Sequence, residues 1–215
     1  MYWGDYIYHV LAISGGVIVG GVIFMAFFGT LWAGIGIRGM QGWGFLVFII
    51  LSLLIGVLLF IGAIALIKKS SPLSNEGINK NREQWKKKNI WFGIIFSLEG
   101  LLIAITSFIC TSTNHLDLFV PVMALIVGAH FFPLASLFQV PTYYITGTLL
   151  CLLATLVMLT FPVKTIINDH HIMVWWVSLG FGSALILWGT GVIVCFRGFR
   201  LISMAQNVAD NGKWS

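Results

Sequence analysis

Glu99 is the only charged residue between Asn89 and Thr111, a stretch long enough to cross a bilayer. His130 occupies a comparable position in the next apolar stretch. A charge at bilayer depth costs at least ~2.5 kcal/mol, so an acid placed there is paired, neutralised or used. A carboxyl and an imidazole in contact can pass a proton, which is the chemistry of a proton or cation relay. The same pair can instead be a hydrogen bond that fixes the register of two helices. A third arrangement keeps them apart, with Glu99 neutral against backbone or another subunit.

Position favours a meeting. Glu99 lies near the midpoint of one apolar segment and His130 just past the midpoint of the next. A short connection joins the two segments, so they run antiparallel as neighbours. At about 1.5 Å of rise per residue, the two depths differ by roughly one helical turn. Pro133 adds to the case. It has no N–H, so the carbonyl of Ala129 loses its helical partner beside His130. Thr106, Thr148 and Thr155 are candidates to satisfy that carbonyl, as neighbouring hydroxyls or water must do in lipid. Glu99, His130, Ala129, Pro133 and these hydroxyls would then line a small wet cavity.

The elements that must position these groups are helices in a membrane. The chain is 59% hydrophobic and only 9% charged, against about 25% charged in a typical soluble domain. Such a chain cannot cover its own surface in water. A spanning helix needs about 20 apolar residues, and six segments qualify: 10–35, 45–67, 90–110, 118–138, 143–163 and 173–196. The runs are continuous rather than alternating, which selects helices over a barrel. The expected fold is all-α, a polytopic six-helix transmembrane bundle forming one integral membrane domain over 1–215. The first run is too long for a signal h-region and lacks a basic n-region, so it is expected to remain as a helix. No residue-level repeat relates the two halves.

Charge sets the orientation. With the N-terminus inside, the inner segments carry Lys68, Lys69, Lys80, Arg82, Lys86, Lys87, Lys88, Arg197, Arg200 and Lys213, and the outer ones only Arg38 and Lys164. The positive-inside rule therefore gives N-in, C-in. Trp3, Tyr6, Tyr8, Trp91, Tyr143 and Tyr144 fall at the inner interface, and Trp32, Trp43, Trp175 and Trp176 at the outer one, as aromatic belts do. Seven of the twelve Lys and Arg lie between Lys68 and Lys88. The stretch 68–89 reads as a cytoplasmic basic loop, with Pro72 and Gly77 as breakers. The net charge of +5 is thus a loop property and not a nucleic-acid groove. Lys86, Lys87 and Lys88 are candidates for anionic lipid headgroups, each worth about 1 kcal/mol near the surface.

The outer loops hold His115 with Asp117 and Asp169 with His170 and His171. His and Asp are zinc ligands, so a shared metal site is a geometric option, although no known metal spacing is present. Cys110, Cys151 and Cys195 are odd in number and scattered in depth, which suggests no disulfide framework. GFGSAL at 180–185 sits inside an apolar run with no strand before it, which excludes a phosphate loop. No other cofactor signature appears. Small residues let helices approach closely: Gly15, Gly16, Gly20 and Gly21 in the first helix, Gly93, Ser97, Gly100, Ala104 and Ser107 in the third, Gly147, Cys151 and Ala154 in the fifth, Gly180, Gly182, Ala184, Gly189 and Gly191 in the sixth. Most would be seams within the bundle. Gly16 and Gly20 have GxxxG spacing and offer a homodimer face.

The stretch GAHFFPLASLFQVPTYYITG, Gly128 to Gly147, resembles a segment of small multi-pass bacterial membrane proteins of uncharacterised function. The resemblance implies a bacterial cytoplasmic membrane and a motif that includes His130 and Pro133. It implies no activity. Three functions fit the residues. The buried Glu–His centre and the broken helix favour a small-solute or proton-coupled transporter or channel. Small size and sparse polar chemistry favour a non-catalytic interaction protein, such as a sensor, immunity or assembly factor. Only the outer His and Asp residues favour a metal-dependent membrane enzyme.

Overall fold

Hydrocarbon offers backbone N–H and C=O groups no water, so long apolar segments must close their hydrogen bonds internally as helices. The computed structural model describes residues 3–80, 82–167 and 170–211, and side chains over 18–69, 86–166 and 171–204. The elements are α1 (Trp3–Gly39), α2 (Phe45–Lys80), α3 (Arg82–Ser112), α4 (Phe119–Phe138), α5 (Thr142–Thr160), β1 (Thr165–Ile167), β2 (His170–Ile172) and α6 (Val174–Asn211). Six of the described helices are long and apolar enough to cross a membrane. This is a multi-pass membrane protein.

Two segments differ from the sequence expectation. The stretch 68–89 is helical at every described position: α2 runs on to Lys80 and α3 begins at Arg82. Lys, Glu and Gln are good helix formers, and their propensity carries the helices past Pro72 and Gly77. Between α5 and α6 the chain forms a short antiparallel hairpin that pairs Thr165 with Ile172 and Ile166 with His171. Its β-branched residues suit an extended backbone. It is tied down by Val174 N–H to Val163 C=O (3.1 Å) and Met173 N–H to Gly39 C=O (2.9 Å). Trp175 Nε1 donates to Phe161 C=O at 2.9 Å.

Helix contacts run in the order α2, α1, α6, α5, α4, α3. The α1–α6 seam forms the centre. A Cβ on Gly180 would fall on the backbone N and Cα of Gly36, and one on Gly39 would lie 2.9 Å from Val177 N. Larger side chains there would hold the helices apart. The α4–α5 seam uses the same device, with a Cβ on Gly147 only 2.6 Å from Gly128 C=O. Tyr143 and Trp188 lean into the bare backbone at Gly21 and Gly29. The fifth helix uses a glycine seam as expected, and so do Gly180, Gly182 and Gly191 of the sixth, whereas Gly189 is exposed with nothing within 4 Å of a would-be Cβ.

The third does not. Gly93 and Gly100 have nothing within 4 Å of a would-be Cβ, and Ser97 and Ala104 are exposed. Instead α3 turns its Phe92–Glu99–Ile103–Cys110 side inward, and among its described side chains only Glu99 and Cys110 are buried. Gly20 also faces open space, and Gly16 lies outside the described side chains. Gly100→Ala is expected to leave unfolding of the detergent-solubilised protein within about 0.5 kcal/mol of wild type. A lowered midpoint in a dodecyl sulfate titration would mean that this face does pack.

Candidate functional site

α3 meets the bundle through one stripe. Phe92, Glu99, Ile103, Thr106 and Cys110 recur at helical spacing, and among its described residues only Glu99 and Cys110 are fully buried. The buried side of α4 includes Val120, Ala124, Val127, His130, Phe131 and Leu134. Helical spacing thus puts the acid and the imidazole on the inward sides of their helices. His130 Nδ1 lies 3.4 Å from Glu99 Oε1, with both side chains more than nine-tenths buried.

The hydrogen-bond geometry fixes the tautomer. His130 Nδ1 is 2.6 Å from Val127 C=O. A carbonyl only accepts, so the proton sits on Nδ1, which donates to it. Glu99 Oε1 is then a second, longer acceptor of the same N–H. The other two polar atoms, Glu99 Oε2 and His130 Nε2, are buried without a hydrogen-bond partner. When the ring is neutral, Nε2 is a bare lone pair. Most buried polar atoms are satisfied, so two orphans in one contact set this site apart.

Its surroundings are aromatic. The Phe131 ring centroid is 4.6 Å from that of His130 and the Phe24 centroid 6.5 Å away. Phe96 sits edge-on to Phe24 and Phe28, at 6.1 Å from each. These rings bring α3 back toward α1 and close the arc of helices over the pair.

The three candidate threonines do not join the pair. Thr106 Oγ1 donates to Leu102 C=O and Thr155 Oγ1 to Cys151 C=O, both at 2.8 Å. Thr148 is exposed. Hydroxyls on a helix bond readily to their own preceding turn, and that local option wins over reaching across to Ala129. Ala129 and Pro133 are exposed, and α4 continues through Pro133. The polar centre reduces to Glu99 and His130.

A second polar line, between α5 and α6, escaped the sequence reading. Thr146 Oγ1 and Thr190 Oγ1 share a buried hydrogen bond of 2.7 Å. Arg197 Nη1 donates to Thr142 Oγ1 at 2.8 Å. The available signals were the four-residue spacing of Thr142 and Thr146 and an arginine following an apolar run. Transmembrane hydrogen bonds are worth about 0.6 kcal/mol on average, so Thr146→Val is expected to lower stability by about that amount. Its double-mutant cycle with Thr190→Val should show the coupling in a dodecyl sulfate titration, and additive losses would refute it.

Of the outer residues, His115 caps and Asp117 lies within a single 3-10 turn at Leu116–Leu118, and His171 is exposed on β2. The side chain of His170, and Asp169 altogether, lie outside the described residues. Among the described residues no group of three His, Cys, Asp or Glu side chains could hold a metal ion. Lys86 and Lys87 are exposed and Lys88 half-buried near the start of α3. Cys110, Cys151 and Cys195 are free thiols. No protein-family model, no curated protein and no solved structure matches this chain.

Proposed function

We propose that the protein serves small-solute or proton-coupled transport, with Glu99 and His130 as the proton-exchanging pair. The observation that supports this is the pair of orphaned atoms. A pair kept only to lock helix register would saturate its buried donors and acceptors, because each one left unpaired costs about 1–3 kcal/mol. Here Oε2 and Nε2 are left open at bilayer depth, and open positions are what a proton needs for arrival and departure. We further propose the N-in, C-in orientation, from the excess of Lys and Arg on one set of connections. The likeness of Gly128–Gly147 to small bacterial multi-pass proteins supports the bacterial cytoplasmic membrane as its home.

The test uses proteoliposomes loaded with a pH-sensitive dye. Under an imposed pH gradient, the wild type should dissipate it faster than empty liposomes. Glu99→Gln should match empty liposomes while keeping its fold. Full flux in a folded Glu99→Gln protein would end the relay reading.

One observation favours a second reading, a non-catalytic membrane interaction protein. The pair is ringed by phenylalanines, and none of the three candidate threonines reaches it. On this reading both Glu99→Gln and wild type leave the gradient intact.

A further inference from the structure

The arc of helices leaves a cavity of about 280 Å³ on the Asn89 side of the Glu99–His130 pair, between α1, α3, α4 and α5. We propose that this cavity takes one acyl chain of an anionic phospholipid from the adjoining leaflet, with the headgroup held by Asn89 and the Lys86–Lys88 cluster. The inference does not rest on the relay reading.

The lining decides what the cavity accepts. Its walls include Phe24, Phe92, Phe131 and Phe138, while Asn89 and Tyr143 supply its polar side-chain atoms. A buried water needs two to four polar partners, so these walls select hydrocarbon. The volume falls just below the range of ligand sites, about 300–1,000 Å³, so it holds part of a single chain and no more. On α1 the wall is Gly20 and Gly21 followed by Phe24 and Met25. Gly20 has open space where a side chain would stand, so a bulky residue there would take up part of the cavity.

Charge decides the headgroup. Asn89 lines the cavity and directly follows Lys86, Lys87 and Lys88. Tyr143, on the opposite wall, follows Thr142, which holds Arg197 at 2.8 Å. Basic groups thus gather at one end of the cavity. The acids among the described side chains are Glu99 and Asp117. Glu99 lies two turns beyond Phe92, and Asp117 beyond the far end of α3. Over the whole sequence, the basic residues of the N-in inner segments outnumber Asp5, Glu76, Glu83 and Asp210. A phosphate with net negative charge complements this end, and a zwitterionic headgroup does so only weakly. Each lysine near an anionic surface is worth about fivefold in partitioning.

The test places the full-length protein in phosphatidylcholine nanodiscs. These carry a small fraction of either phosphatidylglycerol or phosphatidylcholine with a photoactivatable acyl chain. Cross-links should map to Phe92, Phe131 and Phe138, with phosphatidylglycerol favoured by about fivefold or more. Lys86→Gln, Lys87→Gln and Lys88→Gln together should reduce that preference to parity. Gly20→Leu should plug the cavity and abolish these cross-links while labelling along α2 stays unchanged. Unlabelled phosphatidylglycerol, and not phosphatidylcholine, should compete on the unmodified protein, which keeps the test decisive if a variant misfolds. Equal labelling by the two lipids, or cross-links that persist in folded Gly20→Leu, would overturn the proposal.

Discussion

His130→Leu should destabilise the protein by about 2 kcal/mol, and adding Glu99→Leu should restore most of that loss. Removing the imidazole alone strands a carboxyl at bilayer depth, where insertion of an acid costs at least ~2.5 kcal/mol. Removing both partners leaves two leucines in a collar that already holds Phe24, Phe96 and Phe131. Replacing a whole buried polar pair with apolar side chains is often neutral or stabilising, whereas breaking it is not. The measurement is a double-mutant cycle in dodecyl sulfate unfolding, read by circular dichroism. Strictly additive losses would show that the 3.4 Å contact carries no coupling. The same double variant separates the two functional readings. It should be folded and stable, so an absent proton flux in liposomes would be a chemical loss rather than a structural one.

That outcome matters because the site is so spare. One acid of α3 and one imidazole of α4 meet here, and none of the three candidate threonines joins them. A relay built this way must draw its proton partners from groups that arrive, such as water or a solute.

Much of the architecture was legible because lipid enforces it. Runs such as 45–67 and 118–138 are too apolar and too long to be anything but spanning helices, and α2 and α4 cover them. Glu99 and His130 were legible for the converse reason: an ionisable group inside such a run stands out, and helical periodicity then turned the two toward each other. What failed was governed by competition among local options. Thr106 and Thr155 had the right depth, but their hydroxyls spend their hydrogen bonds on their own helices. The stretch 68–89 carried Pro72 and Gly77, yet helix-forming lysines and glutamates outweighed them at its described positions. The glycine stripes were visible on four helices, and sequence could not say which faced a neighbour. Gly180 does and Gly100 does not, because that depends on how each helix is rotated in the bundle. The α5–α6 threonine line was hidden by its ordinariness, since threonine is common in membrane helices and carries no charge to mark it.

Gly180→Leu is expected to be the most damaging single change in the bundle. A Cβ at this position would land on the backbone of Gly36 and lie 2.9 Å from Trp32 C=O. Backbone cannot swing aside as the tip of a side chain can, so α1 and α6 must separate. Overpacking a close-fitted seam costs about 1–3 kcal/mol when side chains can shift, and a leucine set against backbone should exceed that range. The separation would also disturb Trp188 over Gly29 and Met25 against Gly191, so loss would spread along the seam. Gly189→Leu is the control, because it is exposed with nothing within 4 Å of its Cβ, and it should unfold like the wild type. Thermal and dodecyl sulfate unfolding of the two variants in one detergent would compare them directly. Equal stability would mean that α1 and α6 do not meet at glycine, and the central seam of this fold would have to be redrawn.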